Sequence, residues 1–400
     1  MKHVLNIMAA LISLAATSCA GQPSSGGVRT TVIDSSVLDS ATVLLVDSTD
    51  HRFDPVGDAH VMLVYRDSLL IASNSDPTYG EPIVSLYGMG EFLHHLADYI
   101  PRGSEVDEMV ACHIQVMGDK LFVNDCYYTG RYCTLPLHQP LLPADELHLS
   151  HSGVEERGVA TVPCRDGLLV ENPQCYTNVA AGIRNDVPRL LFYKQGVCLT
   201  PQQPVAYQVA DVNTGADIHC HEARRRVCFV SHRQPLVEFY DDIPERGSSV
   251  RGLSLRLVHR LSLQSDDVQK IHVGAAHTTM HQKRARGDRT SSICATFDKT
   301  QRVVGAGSQL HAFLCSAADE EHIYLVYCGK LFSHGYHTYP TCILVLDWDG
   351  NLVDAYRFDR WIQAISPSSE RGTFYLTVYA DDDPYTARMK LVKAVCSRTQ

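Results

Sequence analysis

Apolar residues along this chain gather into short runs rich in β-branched and aromatic side chains, and polar turns separate them. Such runs suit the pleated, half-buried surface of a strand. The clearest lie in residues 320–358: HIYLVY at 322–327, CILVLDW at 342–348 and NLVDAYRF at 351–358. The last two meet at Asp349-Gly350, and Asp-Gly accepts the positive φ of a tight hairpin turn at little cost. A β-meander is therefore predicted, with a polar loop over 330–339 between its first two strands.

The same order of turn, β run, loop and β run recurs. Asp67-Ser68 leads into LLIAS and then PIVSLY; Gly118-Asp119-Lys120 into LFVND and RYCTLPL; Arg165-Asp166-Gly167 into LLVEN and RLLFY. Residues 222–225 lead into RRVCFVS and PLVEFY, and Arg371-Gly372 into TFYLTVY and, past Asp381-Asp382-Asp383-Pro384, RMKLVKAV. The turns near 67, 119, 166, 224, 320 and 371 are 52, 47, 58, 96 and 51 residues apart. Repeats of this length made of β runs predict propeller blades of four strands each. The long interval reads as an insertion, because 276–292 is polar and aperiodic. TVLLVD at 42–47 is predicted to close the last blade, which hides strand edges. Helix has little place; EFLHHLADYI at 91–100 reads equally as a turn or two of helix or as a twisted strand.

The N-terminus changes the picture. Lys2, the apolar core of 4–16 and small residues before a cysteine read as an export signal over 1–19, too short to span a bilayer. Ala16-Thr17-Ser18-Cys19 resembles a bacterial lipobox, which would make Cys19 the acylated N-terminus; ordinary signal cleavage is the alternative. Ala20, rather than Asp, favours the outer membrane. Residues 20–39 are expected to form a flexible tether and 40–400 a single domain.

These features together resemble the TolB-like six-bladed β-propeller lipoproteins of Gram-negative bacteria. The resemblance rests on the lipobox at Cys19, Arg102-Gly103-Ser104-Glu105, the GDKLFVND strand at 118–125, IYLVYCGK at 323–330 and ILVLDWDGNLV at 343–353. It implies an all-β, six-bladed propeller of antiparallel four-stranded blades.

Composition narrows the function. The 400 residues carry a formal charge of −10, which disfavours nucleic acid as a partner, and the basic cluster Lys283-Arg284-Ala285-Arg286 reads as a solvated loop. The 13 cysteines after Cys19 sit one per strand and read mostly as single, buried thiols. Nucleophile-elbow, phosphate-loop, dinucleotide-loop, His-Glu-x-x-His and Cys-x-x-Cys motifs are absent from the sequence. No catalytic residue, metal ligand or cofactor is therefore assigned. Weaker constellations are His219-Cys220-His221, whose histidines share a strand face and with His232 offer three metal donors; Asp347-Trp348-Asp349-Gly350, part of a calcium loop; and Asp381-Asp382-Asp383. A monomeric binding module for a protein, peptide or glycan, held to the membrane by lipid alone, is expected. The alternative is a lactonase-like hydrolase or lyase with an axial metal. Carboxylates and histidines converging from three blades would favour it.

Overall fold

The computed structural model describes residues 28–47, 59–74, 81–103, 108–109, 112–125, 130–138, 140–153, 160–172, 188–194, 196–199, 215–232, 235–243, 253–263, 295–297, 303–306, 310–331, 339–380 and 389–396. Almost all of its regular structure is strand. The chain begins with β1 (Arg29–Ile33), a single helical turn α1 (Ser36–Asp39) and β2 (Thr42–Val46). Groups of antiparallel strands then follow one another. The first is β3 (Val61–Tyr65), β4 (Leu69–Ser73), β5 (Pro82–Met89) and β6 (Leu93–Pro101). The second is β7 (His113–Met117), β8 (Lys120–Asn124), β9 (Arg131–Pro136) and β10 (Ser150–His151). The third is β11 (Thr161–Cys164), β12 (Gly167–Glu171), β13 (Leu190–Lys194) and β14 (Val197–Leu199). The fourth is β15 (Ala216–His221), β16 (Arg226–Ser231), β17 (Leu236–Asp242) and β18 (Leu255–Leu263).

A separate hairpin, β19 (Ala295–Phe297) with β20 (Val303–Ala306), occupies the long interval; 276–292 lies outside the described residues. The fifth group is β21 (Leu310–Ala318), β22 (His322–Leu331), β23 (Thr341–Asp347) and β24 (Leu352–Phe358). The sixth is β25 (Ala364–Pro367), β26 (Thr373–Tyr379) and β27 (Met389–Cys396). The expected β runs at 69–73, 121–124, 168–171, 226–231, 323–327 and 373–379 are the second strands of these groups. Residues 93–101 form strand, not helix, and β22 runs to Leu331, further than the meander predicts.

The N-terminal strands cover outer edges. β1 pairs in parallel with β18. β2 pairs in parallel with β24 through Thr42 and Val43, then antiparallel with β27 through Leu44–Val46. It thereby joins the fifth and sixth groups into one eight-stranded sheet. Residues 29–39, expected in the tether, are instead ordered: Ile33 is buried in an apolar cluster, and Val37 and Leu38 pack against it. A tether needs polar, small residues throughout, and the branched apolar side chains of Ile33, Val37 and Leu38 supply burial instead.

The core is divided among seams. Among the described residues, Leu63, Ile71 and Ile83 meet Ile114, Leu121 and Val123 between the first and second groups. Phe122 meets Leu168 and Val170, and Leu169 and Phe192 meet Ile218 and Phe229. Phe239 meets Leu325 and Trp348, Val326 and Ile343 meet Phe374 and Leu376, and Tyr375 and Leu391 return to Met62 and Val64 of the first group. At that last seam, Thr377 Oγ1 accepts from Met62 N–H (3.1 Å) and donates to Met62 O (2.7 Å). Ser366 Oγ accepts from Val64 N–H at 2.9 Å. These hydroxyls satisfy buried backbone groups on an edge of β3 to which no strand is paired among the described residues.

Charged groups also cross seams. Glu238, fully buried, lies 3.0 Å from Arg189 Nε and accepts from Arg260 (2.7 Å) and from Tyr240 Oη (2.7 Å). Arg189 stacks 4.6 Å over Phe229. Burial opposes its charge, but the two guanidinium groups outweigh it and hold the Glu238 carboxyl below its usual range.

Candidate functional site

The first strands of the second, fourth and fifth groups carry polar side chains where their neighbours are apolar. On β7 these are His113 and Gln115; on β15, Asp217 and His219; on β21, Ser316. Alternate residues of a strand share a face, so each i, i+2 pair points to one side. β15 lies beside β21, and β7 reaches β21 as well. The polar residues therefore meet, although Gln115 and Ser316 are each about a hundred positions from His219.

His232, just beyond β16, completes the group. Its N–H donates to Gly215 O, and its carbonyl accepts from Ala312 N–H, both at 2.9 Å. A Cβ on Gly215 (φ +146°) would stand 3.4 Å from His232 Nδ1, so glycine here allows the close approach and the positive φ.

The hydrogen bonds have one consistent direction. Gln115 Nε2 donates to Ile218 O at 3.0 Å, and a carbonyl can only accept, so the amide orientation is set. The same nitrogen donates to His219 Nδ1 at 2.9 Å. His219 Nδ1 is then the acceptor of the ring, and Nε2 carries the proton. Nε2–H donates to Ser316 Oγ at 2.7 Å, and Ser316 Oγ–H donates to Asp217 Oδ2 at 2.7 Å. His232 Nε2 lies 3.1 Å from Asp217 Oδ1, and His113 Nε2 lies 4.0 Å from the same oxygen. The side chains of His113 and His232 remain 49% and 27% exposed, against 9% for Asp217. The two imidazoles are thus the solvent-facing part and the carboxylate is their support.

Protonation follows from these contacts. Burial lowers the pKa of His219 to about 4, with His113 adding to the fall and Asp217 opposing it. Burial also lowers His113, although a large part of its ring is open. Asp217 is opposed by burial, but His232, His113 and His219 outweigh it and hold the carboxyl well below the usual range.

A pH dependence of stability follows. His219 folds with a pKa of about 4 against 6.5, and His259, buried and beside Arg29, shifts equally. The unfolded chain binds more protons between these values, so stability falls as pH drops from 6.5 towards 4. In His219→Gln, urea denaturation midpoints should vary less across that window than in the wild type.

The candidates singled out by sequence are placed differently. His219 and His221 do not share a centre. Arg224 N–H donates to His221 Nδ1, and His221 Nε2 donates to Glu320 O at 3.0 Å, with the ring edge on Trp348. The trio His219, His221 and His232 thus does not assemble as a metal centre. Among the described residues, no three His, Cys, Asp or Glu side chains stand at metal-ligand spacing. Asp347 is used within its own turn: Oδ1 accepts from Asp349 N–H (2.9 Å) and Asn351 N–H (2.8 Å), and Oδ2 accepts from Asn351 Nδ2. Gly350 has φ +77°, and Arg226 pairs with Asp349, so the hairpin accounts for the motif. Cys19, Asp381-Asp382-Asp383 and Lys283-Arg284-Ala285-Arg286 lie outside the described residues. His113, Gln115, Asp217 and Ser316 were not apparent from sequence. Polar residues at i, i+2 inside an otherwise apolar run are the signal that marks them.

No protein-family model and no curated protein matches the chain. Similar solved structures include a candidate exported protein of Bacteroides fragilis NCTC 9343, at 10% identity and TM-score 0.46, covering 93% of this chain and 100% of that one. A DUF4221 family member of Bacteroides vulgatus ATCC 8482 is 7% identical, TM-score 0.42, over 89% and 96% of the two chains. A candidate 6-phosphogluconolactonase of Bacteroides fragilis NCTC 9343 is 13% identical, TM-score 0.34, over 92% and 95%.

Proposed function

We propose that this protein is an exported, lipid-tethered six-bladed β-propeller that recognises a ligand, without turning it over, at His113, Asp217 and His232. Six strand groups with six apolar seams, the last returning to the first, support the blade count. The narrower TolB-like reading is supported by its motifs falling on β8, on β22 and on the β23–β24 hairpin.

The observation that carries the binding reading is the direction of hydrogen bonding through Ser316. A serine nucleophile needs a base to take its proton. His219 Nε2 donates to Ser316, so it is not that base. Asp217 accepts the proton's hydrogen bond, but a carboxyl held so far below its usual pKa is a weak base. The carboxylates and histidines also come from only two groups of strands. The two open imidazoles, each able to donate or accept, suit a polar ligand: a protein loop, a peptide or a glycan.

The test uses the mature full-length chain on glycan and peptide arrays and with glucono-δ-lactone as a substrate. The His113→Ala/His232→Ala pair should lose captured ligand at least about tenfold, the loss of roughly 1.4 kcal/mol or more. Lactone turnover that disappears in Ser316→Ala would overturn the reading in favour of a hydrolase. Lipid tethering is tested separately: Cys19→Ala should leave the outer-membrane fraction or remain unprocessed, and normal processing with unchanged fractionation would sink it.

A further inference from the structure

No disulfide joins any two of the ten described cysteines, and five of the ten are buried. Two stand apart. Cys164 ends β11 and Cys220 is the last residue but one of β15, and these first strands lie against each other at the third seam. Both side chains belong to one apolar cluster, with Cys164 buried in it and Cys220 packed against it.

Their backbones are held on both sides. Cys164 pairs with Gly167 and Cys220 with Val227 in the sheet registers. Beside them, Arg165 N–H donates to Glu222 Oε1 at 3.1 Å. The Arg165 and Arg225 side chains both grip the buried carboxylate of Asp242. Two thiols packed into one cluster on neighbouring, clamped strands have the proximity a cross-strand disulfide requires.

We propose that Cys164 and Cys220 form a disulfide across this seam as the exported chain folds. The bond ties the third group of strands to the one that carries Asp217 and His219. The proposal rests on export, because only an oxidising compartment sustains such a bond. The oxidant is a disulfide, either glutathione disulfide or a protein disulfide of the envelope. One cysteine thiolate attacks a sulfur of that disulfide, whose S–S bond breaks and releases a thiolate. The second cysteine thiolate attacks the protein sulfur of the mixed disulfide, forming the Cys164–Cys220 bond and expelling the second thiolate. Two protons and two electrons leave the pair, and the external disulfide becomes two thiols. Burial raises the Cys220 thiol well above its usual range, so thiolate is scarce once the seam has closed. Exchange therefore belongs to folding.

The test is refolding of the reduced, purified full chain in a glutathione and glutathione disulfide mixture. Free thiols are then blocked with N-ethylmaleimide, the protein is digested without reductant, and linked peptides are identified by mass spectrometry. A peptide pair joining Cys164 to Cys220 is expected, lost on adding dithiothreitol and absent in Cys164→Ser. The denaturation midpoint of the oxidised wild type should fall with dithiothreitol, and that of Cys164→Ser should not. Recovery of both as alkylated thiols, or either joined to another cysteine, overturns the proposal. A bond that forms in vitro, while protein taken from the native envelope carries both thiols reduced, overturns the location and leaves the geometry standing.

Discussion

Replacing Glu238 by alanine is expected to destabilise the domain by about 3–5 kcal/mol, the usual loss when one partner of a buried ion pair is removed. Glu238 has no solvent exposure and takes contacts from Arg189, Arg260 and Tyr240. Arg189, itself 5% exposed at the side chain, would keep its charge and lose the Glu238 carboxylate. The effect should be read from urea denaturation at neutral pH. Acid provides a second reading. The folded pKa of Glu238 is lowered, so its contribution is complete above the unfolded value of about 4.5 and is lost as pH falls through the folded one. A Glu238→Ala midpoint within experimental error of the wild type would show that the surrounding guanidinium groups find other partners.

Deleting residues 42–46 should have a larger effect, because β2 is shared. Leu44 is 3% exposed and sits in the seam between the fifth and sixth groups. Leu44→Ala alone should cost about 2–5 kcal/mol. Removing the whole strand also strips backbone partners from Tyr356 and Arg357 of β24 and from Ala394, Val395 and Cys396 of β27, and leaves two edges open to foreign strands. Thermal melting of the deleted chain should show a much lower midpoint and aggregation. An unchanged midpoint would mean that the outer edges need no cover.

The strands were legible in the sequence because they obey local rules. Second strands such as LLIAS, LFVND and TFYLTVY are apolar runs next to turns, and several of the turns before second strands take positive φ, at Arg66, Asp67, Gly118, Arg165, Arg225 and Gly372. First strands were harder. TVPC, ADIHCH and AISP are short or mixed, since one side meets a neighbouring group and the other a polar interior. The site was illegible for a related reason. His219 is held by Gln115 and Ser316, and nothing local in ADIHCH says which distant residues will face it. His221 had the same apparent promise, two positions on, yet spends its nitrogens on turn backbone. The ordering of 29–39 was missed because Val32-Ile33 and Val37-Leu38 are too brief to register as periodic, although a distant cluster receives Ile33, Val37 and Leu38.

The pairing of β1 and β2 imposes an order of events on a chain that emerges from its N-terminus. Arg29–Ile33 find their partners at 259–263, and Leu44–Val46 theirs at 394–396. β1 must therefore wait, unpaired, for residues 259–263, and the end of β2 for residues 394–396. Contacts this remote in sequence close slowly. The seam between the fifth and sixth groups is therefore the one whose closure depends on both ends of the described chain, whatever the earlier groups have already formed.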